Sequence, residues 1–325
     1  MNKYLSDKEW LGHITFPINK EKEKQMPNKP QATPPKCPIQ EAKKGGLKDI
    51  AGMDELKQLV QESFINVLKN KECAKAFGIK PPSLLFYGPA GVGKTFFAEK
   101  VAEEIGIHFM KVSPDDLASS YIHGTQAKIG ELFLEAEKKA PTLLFFDEFD
   151  CMVPQRNNND DNYQNGEVNE FLCMLNNAAD RGIYVIAATN HPERIDKAVL
   201  RTGRIDELIY VDMPDSKARE SLFKLSLKKL PIEKDINYQL LAEKTKGFNC
   251  SDIGYIVQVA SRKMFNASIR DKGKPFKTIN QEVLLDAIAQ RSPSVSSKDI
   301  REFDRIRMEL SRGQNGLQPR SIGFH

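Results

Sequence analysis

The clearest chemistry in this 325-residue chain lies between Gly88 and Thr95, GPAGVGKT. Gly88, Gly91 and Gly93 let the backbone curl around an anion with its N–H groups facing inward, while Pro89, Ala90 and Val92 fill the turn between them. Lys94 and Thr95 open a helix whose positive end faces the same anion. The spacing satisfies GxxxxGK[ST], so Lys94 should reach the β- and γ-phosphates of a nucleotide and the Thr95 hydroxyl should ligate Mg²⁺. Fifty-two residues beyond Thr95, LLFFDEFD ends an apolar run in acids. Asp147 there would hold Mg²⁺ through water, and Glu148 would polarise an attacking water. A third apolar run, YVIAATN, ends at Asn190, which could hydrogen-bond the γ-phosphate or that water. Eleven residues further on, RTGR sets Arg201 and Arg204 three apart. Such arginines commonly form surface ion pairs, but beside a phosphate they could clamp it as the bond breaks.

These groups need strands to hold them. Leu84 to Tyr87 is apolar and short enough for a buried strand, followed by a helix from Phe96 to Ile105. Four more strand-like runs cover Phe109 to Val112, Leu143 to Asp147, Tyr184 to Thr189 and Leu208 to Val211. Helical stretches at Ala127 to Lys139 and Val168 to Asn177 fall among them, and Asp54 to Lys69 reads as one helix before the first strand. Alternating strands and helices predict a parallel sheet covered on both faces, with ligand chemistry at the carboxyl ends of its strands. After Pro214 the strands stop. Ser216 to Lys228, Gln239 to Lys244, Ser251 to Ile269 and Gln281 to Ala289 predict a small all-helical domain. Beyond it come a charged amphipathic stretch, Lys298 to Leu310, and a polar tail.

Composition narrows the setting. Residues 1 to 46 hold six of the eighteen prolines and nine lysines against five acids, so they read as a tail or linker. Trp10, Leu11, Ile14, Phe16 and Ile18 within that tail could form a short docking segment. From Leu47 onward 39 basic residues face 39 acidic ones, which gives nucleic-acid binding no support. The five cysteines make no CxxC pair, the five histidines have no metal-ligand spacing, and no apolar run is long enough to span a bilayer. A reduced, cytoplasmic protein is expected.

The ordered series resembles the AAA+ ATPases, in the branch that includes membrane-fusion and Cdc48-like ATPases, the AAA domain of FtsH-type proteases, katanin and spastin. The resemblance runs from LKDIAGMDELKQLV through both Walker motifs and TNHPERIDKAVLRTGRIDELIYVDMPD to GFNCSDI and PSVSSKDI. It implies a P-loop NTPase αβα sandwich with a five-stranded parallel sheet and a helical lid. The implied boundaries are 47–213 for the ATPase domain, 214–292 for the lid, and 293–325 for a C-terminal helix and tail. It further implies ATP and Mg²⁺ as ligands and a homo-oligomeric ring, usually a hexamer, with Arg201 and Arg204 acting on the neighbour's nucleotide. Asp49, Ile50, Ala51 and Gly52 would cover the adenine, Phe96 would follow the phosphate loop, and Cys250 and Ser251 would close the pocket from the lid. The chain departs from the pattern at Ala90, Val92 and Glu207, and at Cys250, where the family usually has Gly.

The family's pore loop carries an aromatic, an apolar residue and Gly. In SSYIHG, counting forward from Leu117 makes Tyr121 the aromatic with Ile122 beside it; counting back from Gly124 puts Ile122 in that place. A second pore loop would fall within Arg156 to Glu167. The function implied is ATP hydrolysis coupled to remodelling of a protein drawn through the pore. A nucleotide-gated switch that assembles without threading is an alternative, and a nucleic-acid motor a weaker one.

Overall fold

In a computed structural model, residues 45–118, 124–155, 162–270 and 277–313 are described. Five strands, β1 (Leu84–Tyr87), β2 (His108–Val112), β3 (Thr142–Phe146), β4 (Ile183–Thr189) and β5 (Glu207–Tyr210), form one parallel sheet in the order β2-β3-β4-β1-β5. The four strands after β1 lie within one residue of their predicted ends. The chain leaves β1 for β2 at the far edge and returns through β3 and β4 to its side. That reversal opens a crevice at the carboxyl ends of the strands, where α/β sheets bind ligands.

Both faces of the sheet are buried, and alternation along each strand divides the core. Leu85, Tyr87, Leu144, Phe146, Val185 and Leu208 point to one side. There they meet Ile129 and Phe133 of helix α3 (Gly124–Lys138) and Val168 and Phe171 of α4 (Asn162–Leu175). Leu84, Phe86, Leu143, Phe145, Ile186 and Ile209 point to the other. They pack on Phe97 and Val101 of α2 (Lys94–Ile105) and on Leu56 and Val60 of α1 (Asp54–Val60). Two helical layers on one parallel sheet make the αβα sandwich. The segment read as one helix over Asp54–Lys69 is helical throughout but carries a π-helical turn at Gln61–Ile65, which lets both Phe64 and Ile65 be fully buried.

The C-terminal region is helical and has its own core. Helices α5 (Ser216–Leu227), α6 (Tyr238–Lys244), α7 (Cys250–Arg270) and α8 (Gln281–Ala289) enclose Phe223, Leu227, Leu241, Ile256, Leu284 and Ile288. Side chains of Asp215, Asn237 and Asn280 cap three of these helices, each accepting from a backbone N–H three residues on. The last helix, α9 (Ser297–Gly313), returns to the sheet. Its Phe303 lies 6.4 Å from the Tyr210 ring, which is itself 5.4 Å from Tyr87. Among the described residues no helix is long and apolar enough to cross a membrane.

A heavily bonded buried charge, Asp252 in the first turn of α7, is fully buried. It accepts from Arg291 Nε at 2.9 Å, from Ser294 N and Oγ at 3.1 and 3.0 Å, and from Asn249 N at 3.3 Å. Burial works to raise its pKa, but these donors, with Ser294 N–H and Arg291 foremost, hold it below the usual carboxylate range. Asp252→Ala would leave Arg291 without its partner, a change that typically costs about 3–5 kcal/mol. The expected fall in melting temperature is on the order of 10 °C. Because the folded pKa is depressed, the loss should be full at neutral pH and shrink as acid titrates Asp252 in the parent protein.

Candidate phosphate and nucleotide site

Strand register brings three of the predicted groups to one edge. Tyr87 pairs with Thr189 and Phe146 with Ala187, so Gly88 leaves β1 beside Asn190, and Asp147 leaves β3 at the same carboxyl edge, level with Ala188. Between β1 and α2 the chain turns through Gly88, Gly91 and Gly93 at φ of 147°, 73° and 98°. A side chain at Gly88 would run into the Val211 carbonyl, and one at Gly91 into Asn249. At Gly93 a Cβ would meet nothing within 4 Å, so there the loop borders open space.

Lys94, only 8% exposed, spans this turn. Its Nζ donates to Gly88 O at 2.9 Å, Pro89 O at 2.8 Å and Asn190 Oδ1 at 2.7 Å. Since Lys has donors only, the Asn190 amide must turn its oxygen towards it. Burial pushes the Lys94 pKa down to about 8, against the opposing pull of Asp147 and Asp150. A phosphate would relieve that penalty. Thr95 Oγ1 donates to Asp147 Oδ2 at 3.1 Å. This hydroxyl and carboxylate are hard oxygen donors of the kind Mg²⁺ takes along with phosphate and water oxygens. Among the described residues no cluster of three His, Cys, Asp or Glu could hold a metal by itself. Thr95 and Asp147 by their chemistry fit a metal that shares its remaining positions with phosphate and water oxygens.

Glu148 is exposed and sits at φ 50°, ψ 47°, a left-handed conformation unusual for a residue with a side chain. Strain of this kind concentrates at functional positions. Asp150, buried two residues on, accepts from Thr189 Oγ1, whose oxygen in turn accepts from His191 N at 2.8 Å. The loop carrying Asn190 is thereby tied to the β3 end.

A cavity of about 300 Å³ adjoins the loop, lined by Ile50, Ala51, Met53, Gly91–Gly93, Phe96, Leu222, Leu225, Cys250 and Ser251 among others. Of the four residues expected over the adenine, Ile50 and Ala51 face this cavity, whereas Asp49 and Gly52 line a neighbouring cleft. Opposite them the start of α7 grips the phosphate loop from behind. Asn249 Nδ2 donates to Ala90 O at 2.9 Å, Ser251 N to Gly91 O at 3.1 Å and Cys250 Sγ to Val92 O at 3.3 Å. These bonds occupy carbonyls that face away from the anion and leave the loop's N–H groups for it.

The structure does not bring Arg201 or Arg204 to this cluster. Their turn is anchored at the amino end of the sheet, where Asp206 accepts from Gly203 N at 2.8 Å and from Ser83 N at 2.9 Å. Arg204 donates to Ala198 O at 2.7 Å, and Arg201 is exposed. Tyr121 and Ile122 lie outside the described residues, as do residues 156–161 of the second candidate loop; the rest of that loop is the first turns of α4. Sequence reasoning missed Asn249, Asp150 and Lys111, whose ammonium lies 2.9 Å from Asp147 Oδ2. Asn249 was findable as an Asn three residues before an Asp at a helix start; the other two depend on strand register.

Cys250 tests this geometry. Burial pushes its thiol up to about 12, so at pH 8 its thiolate fraction is about 10⁻⁴. Alkylation by iodoacetamide, mapped by peptide mass, should run about 10³ slower than for a free cysteine peptide of pKa about 8.5. It should accelerate roughly tenfold per pH unit towards pH 12, and bound nucleotide should slow it further.

Residues 84–213 match the model of the ATPase family associated with various cellular activities (AAA). The chain is 33% identical over 279 residues to the cell division cycle protein 48 homolog of Archaeoglobus fulgidus, an alignment covering 81% of this chain and 38% of that protein. It thus spans about two-fifths of the relative's length. The matched region contains the sheet from β1 to β5, the phosphate loop and both arginines. The chain thus carries an AAA domain and is similar to the Cdc48-like ATPases.

Proposed function

We propose that this protein hydrolyses ATP with Mg²⁺ and couples the reaction, as a homo-oligomeric ring, to remodelling a protein substrate. The observation that carries the reading is the pair of hydrogen bonds at the carboxyl edge of the sheet, Lys94 to Asn190 and Thr95 to Asp147, which ties the start of α2 to the ends of β4 and β3. In this reading Lys94 and the loop N–H groups hold the β- and γ-phosphates, while Thr95 and Asp147 hold the metal. Bound Mg²⁺ would offset charge that builds on the phosphate oxygens. Glu148 takes a proton from the attacking water, and Asn190, oriented by Lys94, positions that water or the γ-phosphate.

The division into an ATPase domain at 47–213, a lid at 214–292 and a terminal helix with tail at 293–325 belongs to the same proposal, supported by the separate core of the helical region. The lid contacts at Asn249, Cys250 and Ser251 would let it sense whether the loop is filled. Arg201 and Arg204 are assigned to the nucleotide of a neighbouring copy. Their position at the amino end of the sheet supports this, since it removes them from the loop of their own chain. A hexamer is the proposed assembly, with Tyr121 and Ile122 gripping substrate in its pore and the cytoplasm as its compartment. The formally neutral charge from Leu47 onward favours a protein over a nucleic-acid substrate.

Glu148→Gln should retain ATP binding and lose about 10² to 10⁴ in turnover through loss of the base. In ATP this variant should show a mass several times that of the monomer. In the parent protein Arg201→Ala should still bind nucleotide but lose turnover, and equal turnover of the Arg201→Ala and parent proteins would remove the trans-acting role. Tyr121→Ala should abolish remodelling while sparing most ATP turnover.

A further inference from the structure

Lys111 stands where neither the phosphate-loop motif nor the acids after β3 call for a residue. It is the penultimate residue of the edge strand β2, paired with Phe145 of β3. Lysines on edge strands commonly do no more than discourage pairing with other chains. Here the backbone directs it elsewhere. Asp147 N donates to Val112 O at 2.9 Å, which extends the β2–β3 ladder by one step and fixes the Asp147 backbone beside the end of β2. Lys111 Nζ then lies 2.9 Å from Asp147 Oδ2, the same oxygen that accepts from Thr95 Oγ1 at 3.1 Å. The carboxylate oxygen best placed for a metal is therefore already in contact with a cation. The Lys111 side chain is about half exposed, so it can leave that oxygen without unfolding anything.

We propose that Lys111 is a positioning residue that takes the place of the divalent cation at Asp147, holding the carboxylate in its metal-ready orientation and making nucleotide binding less dependent on Mg²⁺. The inference rests on reading Thr95 and Asp147 as the metal-holding pair. Two effects follow from one charge. Without metal, Lys111 and Lys94 together offset the phosphate charge, so a nucleotide binds with less help from Mg²⁺. With metal, the ion must displace an ammonium or share its oxygen with one, so its affinity for the nucleotide complex is reduced. Both effects shrink the ratio of nucleotide dissociation constants without and with Mg²⁺.

The experiment measures that ratio by calorimetry with the β,γ-imido analogue of ATP, in chelator and in millimolar Mg²⁺, for the parent protein, Lys111→Met, Lys111→Arg and Asp147→Asn. Thermal unfolding of each confirms the fold. Lys111→Met should raise the ratio about tenfold and lower the Mg²⁺ concentration for half-saturation of the nucleotide complex by a similar factor, whereas Lys111→Arg should stay within about twofold of the parent, the scale on which surface ion pairs act. A ratio for Lys111→Met within twofold of the parent overturns the proposal and leaves Lys111 a solvated surface pair. If Asp147→Asn leaves the Mg²⁺ response of the parent unchanged, the assignment of Thr95 and Asp147 falls, and the proposal with it.

Discussion

The site depends on keeping one ammonium out of water. Lys94 is almost wholly buried, and a charge removed from solvent costs several kcal/mol unless it is paired and hydrogen-bonded. Three oxygens meet it: two backbone carbonyls, from Gly88 and Pro89, and the amide oxygen of Asn190. Neutral acceptors satisfy its donors without cancelling its charge, so the group remains a cation in search of an anion. Its depressed pKa expresses the same imbalance. Carbonyls can turn towards Lys94 only because the chain runs through positive φ at Gly88, Gly91 and Gly93, and the third oxygen arrives only because β4 ends beside β1.

That requirement reaches into the helical region. A loop whose N–H groups are reserved for an anion has other carbonyls facing outward, and buried carbonyls need donors. Asn249, Cys250 and Ser251 supply them, one for each of three successive loop carbonyls. The same helix start is anchored by Asp252 to Arg291 and Ser294, and Asn249 also donates to Ser294 Oγ at 2.9 Å. The phosphate loop, the first turn of α7 and the chain entering α9 thus form one hydrogen-bonded body. Cys250 in place of the family's usual glycine fits this arrangement, since its sulfur donates where a glycine would leave the Val92 carbonyl to other partners.

Much of this was legible in the chain. The five strands could be read because each is a short apolar run bounded by turn residues, and burial on both faces of a parallel sheet demands such runs. Asp147 and Asn190 could be named because each directly follows a strand, and Lys94 and Thr95 because the glycine-rich turn after β1 ends in them, so sequence position alone sets all four at one edge. What could not be read depends on side chains crossing between strands. Lys111 looks like any edge lysine until the β2–β3 register puts it beside Asp147, and Asp150 looks like an acidic turn until Thr189 of β4 reaches it. The left-handed Glu148 has no marker either, because glycine is the usual sign of that conformation and none stands there. The π-helical turn at Gln61–Ile65 is hidden for a related reason: apolar spacing at Leu56, Leu59, Val60, Phe64 and Leu68 suits an ordinary helix.

Charge placement explains why one chain reads as an incomplete catalyst under the proposed function. Lys94 and Lys111 both approach Asp147, while Arg201 and Arg204 sit before β5. The four residues of β1 put about 13 Å of extended backbone between the anchor at Ser83 and the phosphate loop. Asp206 pins the arginine turn at that far end, and Arg204 already spends a donor on Ala198 O. A charge so fixed cannot serve its own loop without breaking those bonds, yet it remains available at the surface to another copy. An interface that joins the loop edge of one chain to the arginine turn of the next uses two different patches, and such head-to-tail contacts close into rings when the rotation between copies permits. Under the proposed function, the geometry that holds the arginines away from the phosphate loop of their own chain is what would let them serve a neighbour's.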